Sequence, residues 1–484
     1  MGLLVDRAFL DAATSVPALR EVIRDALIEA LFTRDDRVLP PEIVAVLARR
    51  PSVTMKPKTD VELQKLVRIA NGQESTVSLG LGAEDWHYVR RQLAVSKDQD
   101  IGVTVKPSVV TTHPWIVPPQ GGIEVDPVDL SAIAVDPKGH QALAGVGARW
   151  KALFDEAARV GRLVPFFPLV PLDYAIGDAL YGDAVFQSYR GPFRRHLLAV
   201  RAIASHGTRA RIGFEEVANH GTGYDLLGLL QNSMAEFVVP AAVSVLLAPR
   251  PRSLRNLVYH FPDPAKLGEA VARLTASGRA LLYANVYDGG AWALLHPGAA
   301  GGAFILEVGL GGAPTVVPVR EKAVDALLAG FTAKGADVPS PYDAEARAYA
   351  RTAERVGRLL FPGYLTFPAK ALGDVVAKLG TVGEVAGAKA SLFGAVRATG
   401  TVSLAPGFDA PKEPPKVYSV SRQVWELARA TPGASYLSRL AELWSEDRMY
   451  RGRIVLLERL KEEIDSARVV EPTVPLAGPS GRLF

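Results

Sequence analysis

Between residues 15 and 33 apolar side chains recur three and four apart. Leu19, Val22, Ile23, Ala26, Leu27 and Leu31 share one face of a helix that Pro17 opens. The following run, VTMKPKTDVELQKLVRIA, reads as strand, turn and helix. Its Thr59-Asp-Val-Glu62 is a capping box, in which the hydroxyl and the carboxylate satisfy free N–H groups of the first helical turn. A further amphipathic helix gathers Trp150, Leu153, Phe154 and Ala157 on one face. The short apolar runs at Val103–Val105, Ile123–Val125, Leu198–Ile203 and Val243–Leu247 read as the strands it packs on. From Asn256 the pattern changes to strand LVYHF, a helix that Asp263 caps and Pro264 begins, strands LLYANVY and AFILEVG, then another helix. That is an antiparallel α+β order. The prolines of PKEPPK (411–416) remove backbone donors and predict a solvated loop.

A chain of 484 residues predicts two or three domains with cores of their own. Its net charge is only +4 and its Lys and Arg are spread along the chain, which argues against a nucleic-acid partner. With no cysteine, disulfides, thiolate zinc sites, iron–sulfur clusters and a thiol nucleophile are excluded, so any cluster sits on a partner. Zero Cys, 4 Met and five Asn point to a hot-growing source. Asp6, Arg7 and Asp11 break the early apolar residues, so no signal peptide is expected. No apolar run reaches the roughly 18 residues of a membrane span. The expectation is a cytoplasmic protein, peripheral to a membrane only through a partner.

The order of segments from Gly121 to Pro251 is more specific. GGIEVDPVDL is followed by GVGARWKALFDEAARVGRLVPFFP, YAIGDALYGD, SYRGPFRRHLLAVRAIASHGT and GTGYDLLGLLQNSMAEFVVPAAVSVLLAPRP. It resembles the FAD-binding domain of the vanillyl-alcohol oxidase / para-cresol methylhydroxylase (PCMH) flavoprotein family, and most of all its glycolate-oxidase and D-lactate-dehydrogenase members. The tail LKEEIDSARVVEPTVPL carries Lys461, Asp465 and Pro472 where the family closes back onto its flavin domain. The resemblance implies an α+β fold. It assigns an N-terminal helical segment to 1–49 and a two-subdomain PCMH-type FAD-binding domain to 50–255. An antiparallel cap or substrate domain follows at 256–450, and a return segment at 451–484.

The resemblance also implies where FAD would lie. Its pyrophosphate would follow backbone N–H groups of a loop after a strand, either at Lys106-Pro107-Ser108 or at Gly80-Leu81-Gly82, and its ring would sit near Gly177, Asp178 and Ser233. Several glycines of the family are replaced here. Pro107 has no N–H, Val109 resists positive φ, Asp178 stands for the second glycine of a pair, and Asn232, Ala235 and Val238 replace three more. Gly80–Gly82 also reads as an ordinary tight turn, and Gly177 as the start of a helix capped by Asp178.

On the cap, His260 is a candidate base and Arg397 a candidate carboxylate clamp, with Tyr259 beside them in an open cleft. The family's histidine-bearing strand matches Phe393–Val402, where Ala395 and Val402 stand at the histidine positions and no histidine follows His296. No metal site is expected. Two functions stay open. One is an FAD-linked dehydrogenase of small 2-hydroxy acids that passes electrons to a partner. The other is a scaffold subunit that has lost flavin and pairs with an intact flavoprotein paralogue or an iron–sulfur subunit.

Overall fold

A computed structural model describes residues 53–71, 102–108, 122–136, 140–165, 174–181, 187–189, 191–215, 225–231, 236–298, 302–331, 333–334, 359–361, 363–386, 389–409, 414–437, 456–457, 459–466 and 469–470, with single residues 138 and 342. The helix expected at 15–33, the Gly80–Gly82 loop and Ser233 lie outside the described residues.

The first half is built on two small sheets. Strands β1 (Val53–Met55), β2 (Val103–Val105) and β3 (Ile123–Val125) form a parallel trio with β3 in the middle. Helix α1 (Asp60–Ala70) follows β1, and Thr59 Oγ1 accepts from the Glu62 N–H at 3.2 Å. The Glu62 carboxylate accepts in return from the Lys58 N–H at 2.7 Å, which completes the capping box.

The second sheet is antiparallel. Its strands are β4 (Ile133–Val135), β5 (Gln141–Gly145), β6 (Leu197–Ala204), β7 (Arg209–Gly213) and β8 (Val238–Leu246), in the order β7-β6-β8-β5-β4. Between β5 and β6 in the chain, α2 (Trp150–Arg159) buries Trp150, Leu153, Phe154 and Ala157 against this core. A single turn, α3 (Asp178–Tyr181), follows it.

The second half is one nine-stranded antiparallel sheet. It uses β9 (Ser253–Phe261), β10 (Tyr283–Asp288), β11 (Phe304–Gly312), β12 (Ala333–Lys334), β13 (Leu359–Leu360), β14 (Tyr364–Pro368), β15 (Ala390–Val396), β16 (Thr401–Asp409) and β17 (Ser435–Leu437). The order is β12-β9-β11-β10-β15-β16-β14-β17, with β13 also beside β16. Its helices are α4 (Pro264–Ala276), α5 (Gly289–Leu295), α6 (Val317–Leu328), α7 (Leu372–Ala386) and α8 (Pro414–Ala430). Asp263 caps α4 by accepting from the Lys266 N–H at 2.8 Å.

One face of the sheet carries Tyr259, Leu306, Leu404 and Val402 and forms a core with Leu267, Val324, Val375 and Val424 of α4, α6, α7 and α8. The opposite face carries Val258, Tyr287, Ile305, Phe393 and Ala405 and belongs to the core of the first half.

Two expectations are corrected. The PKEPPK run is not wholly a loop: Pro414 and Pro415 begin α8, where a missing N–H costs nothing because the first turn has no partner for it. Tyr259 faces the helices, donating to Asp325 of α6 at 2.6 Å, rather than the first half.

Candidate functional site

The loop after β2 and the turn before α3 meet. The Ser108 N–H donates to one carboxylate oxygen of Asp178 at 3.0 Å, and its hydroxyl donates to the other at 2.6 Å. The same hydroxyl accepts from the Ala175 N–H at 3.0 Å. Asp178 is 2% exposed. Lys106, at the mouth of this loop, pairs with Asp126 at 3.5 Å. Four of the residues singled out from sequence, Lys106, Ser108, Gly177 and Asp178, are therefore neighbours.

The segment that presents Asp178 is fixed by the chain beside it. The Ile176 and Gly177 N–H groups donate to the Ala148 and Val146 carbonyls at 2.7 and 2.8 Å. A Cβ on Gly177 would lie 2.8 Å from both the Val146 side chain and its carbonyl, so this glycine is required by protein packing. Burial raises the hydroxyl pKa of Tyr181 and of Tyr364 on β14, and the Asp178 charge raises both further.

The tail closes the same region from the other side. The buried Lys461 ammonium donates to the Glu236 and Val470 carbonyls and to Asp465. Asp465 accepts from the Val469 and Val470 N–H groups at 2.9 and 2.8 Å. Val470 bridges Val103 at the head of β2, in parallel.

The sheet face turned toward the first half carries a polar cluster that the sequence did not single out. Glu307, 1% exposed in the middle of β11, accepts from Asn256 and Asn285 amides at 3.0 and 3.1 Å and from the Tyr287 hydroxyl at 3.2 Å. Tyr283 donates to Asn256 at 2.9 Å. Burial raises the Glu307 pKa, and its three hydrogen bonds oppose that shift. The available signal was a glutamate interrupting the apolar run AFILEVG.

On the same face Arg397 donates to the Ser403 hydroxyl at 2.8 Å, and Ser403 bonds Thr366 at 2.9 Å. His260 shares a cross-strand row with Ile305, Tyr287 and Phe393, and burial lowers its pKa. Arg397 lies three strands across and four residues along from His260, about 20 Å away on strand spacings. The two do not share a site for one small acid. Among the described residues no three metal-ligating side chains converge.

An FAD pyrophosphate needs convergent, unoccupied N–H groups and no nearby negative charge. Here Pro107 offers no N–H, the Ser108 N–H and hydroxyl are given to Asp178, and the Lys106 charge is matched by Asp126. The described residues of this loop do not fit that group.

Neither protein-family models nor curated protein sequences give a match to this chain. Solved structures do match its fold. p-Cresol methylhydroxylase with substrate bound superposes with a TM-score of 0.64 at 15% identity, covering 90% of this chain and 89% of that one. An isoeugenol complex of 4-ethylphenol oxidase from Gulosibacter chungangensis gives 0.64 at 11% identity, with 88% of each chain covered. Alkyldihydroxyacetonephosphate synthase gives 0.58 at 14%, covering 87% of this chain and 76% of that one. The α+β architecture of this chain is theirs, the PCMH-type fold. At such identities the likeness establishes the fold.

Proposed function

We propose that this chain is a non-catalytic subunit built on the FAD-linked oxidase fold, which serves as the structural partner of an intact flavoprotein or iron–sulfur subunit. The observation that carries the reading is the covered sheet face. A flavin ring and a substrate stacked on it need a cleft free of protein. Instead Tyr283, Tyr287, Trp292, Phe361 and Phe393 are each at most 2% exposed and share one apolar core with Trp150, Tyr174, Ile176 and Phe193 of the first half. Tyr342 wedges the halves together: its ring stacks on Phe154 at 5.4 Å and contacts Tyr283 at 6.0 Å, and its hydroxyl donates to the Val164 carbonyl at 3.0 Å.

The test is the colour of the purified protein. It should lack the flavin bands expected of any oxidised flavin near ~375 and ~450 nm, take up no flavin from excess FAD, and fail to oxidise D-lactate or glycolate with an artificial acceptor. Flavin bound at about one per chain and bleached by either acid would overturn the reading.

A second reading, an FAD-linked oxidoreductase acting on a 2-hydroxy acid, is favoured by Arg397. This cation leans onto Ser403 on the sheet face turned toward the first half, and a substrate carboxylate needs such a fixed partner. Arg397→Met would then abolish turnover while leaving the fold intact.

A further inference from the structure

We infer that Asp178 is a built-in anion that takes the place of a bound phosphate at the Lys106–Ser108 loop, so that the loop keeps its shape with no nucleotide present. The inference rests on the non-catalytic reading above and goes further, since it assigns the loop a ligand class that returns when Asp178 is removed.

A carboxylate presents two oxygens to two donors. Asp178 spends them on the Ser108 N–H and the Ser108 hydroxyl, at 3.0 and 2.6 Å. The hydroxyl is held for this by the Ala175 N–H at 3.0 Å. A backbone N–H and a hydroxyl converging on one oxyanion is the arrangement that phosphate groups are bound by. At 2% exposure the site has no room for both Asp178 and a second anion, and two negative charges so close and so buried would repel strongly. Lys106 leaves a cation at the rim, paired with Asp126 at 3.5 Å. Losing the carboxylate therefore loosens the loop and the turn before α3 together.

Anion rescue tests this on the full-length chain, with inorganic pyrophosphate as probe and melting temperature as readout. Wild type should be indifferent to about 5 mM pyrophosphate, since its donors are taken. Asp178→Ala should melt roughly 5–10 °C lower and regain half or more of that loss with pyrophosphate, but not with chloride at matched ionic strength. Asp178→Asn keeps the shape without the charge and still fills the site, so it should melt lower than wild type and show no rescue. An Ala variant that ignores pyrophosphate, or a wild type that responds equally, overturns the inference. If the Ala variant does not fold, an Asn variant melting at or above wild type does the same. The two proposals fail separately. Stoichiometric flavin in the wild type sinks the non-catalytic reading. A colourless wild type whose Ala variant is not rescued sinks only the role of Asp178.

Discussion

Truncating Tyr342 to alanine measures how firmly the two halves are sealed. The side chain is 1% exposed, stacked on Phe154 at 5.4 Å, tilted on Tyr283 at 6.0 Å and hydrogen-bonded to the Val164 carbonyl at 3.0 Å. Removing a buried aromatic ring costs about 3–5 kcal/mol when the surroundings cannot collapse. The lost hydrogen bond adds about 1 kcal/mol and leaves a buried carbonyl unpaired. Tyr342→Ala should therefore destabilise by about 4–6 kcal/mol, and Tyr342→Phe, which keeps the ring, by about 1–2 kcal/mol. Urea unfolding followed by tryptophan fluorescence and by far-UV circular dichroism checks both values. In the Ala variant the two probes should also separate, because the sheet of the second half loses its tie to α2. A cleft held open for a substrate would tolerate the truncation. An Ala variant within about 1 kcal/mol of wild type, with coincident transitions, would refute the sealed interface.

Three further outcomes follow from other sites. Asp288 caps α5 and is buried, which raises its pKa from 3.8 to about 6. A raised carboxylate pKa contributes stability that is full below the unfolded value and lost as pH rises through the folded one. Asp288→Asn, also a good cap, should thus gain on wild type as pH rises from about 4 to about 6, by up to about 3 kcal/mol, and keep that gain at higher pH. A melting-temperature gap that is constant from pH 4 to 8 would contradict this.

Lys461→Met should destabilise by about 3–5 kcal/mol and expose the tail to protease, since it strips a buried Asp465 of its cation. An unchanged digestion pattern would count against the tail's anchoring role. Gly380 lies in the middle of α7 with nothing within 4 Å of an added Cβ. Gly380→Ala should therefore stabilise by about 1 kcal/mol in urea titrations, and a loss of stability would show hidden crowding there.

What the sequence made legible is local. The Thr59–Glu62 box, the Asp263–Pro264 cap and the Trp150 face need only residues a few positions apart, and each appears in the structure as read. What stayed hidden depends on register between distant segments. Ser108 and Asp178 are 70 residues apart, and that their side chains face each other follows only once both loops are placed. His260 lies in β9 and Arg397 directly follows β15, and the strand order β9-β11-β10-β15 is what separates them. Glu307 is the opposite case. Its cluster joins three strands whose pairing no local pattern shows, although a lone glutamate in an apolar run marks a buried charge that must find donors.

Three glycines of the first half are required by protein packing alone. A Cβ on Gly145 would sit 2.0 Å from the Leu130 carbonyl oxygen, and one on Gly147 1.8 Å from that of Pro127. Neither could change without parting β5 and the turn after it from the 127–131 segment, whatever is bound. Gly177 is held in the same way by Val146. The next position is free of that constraint, and its side chain, Asp178, meets the 106–108 loop. Asp178 supplies an acceptor for the Ser108 N–H, so the loop is not left with an unpaired buried donor. At the other end of the same sheet Asp465 accepts the Val469 and Val470 N–H groups. Packing alone requires the backbone approaches of this architecture, so a likeness of fold over nearly the whole chain does not by itself imply chemistry.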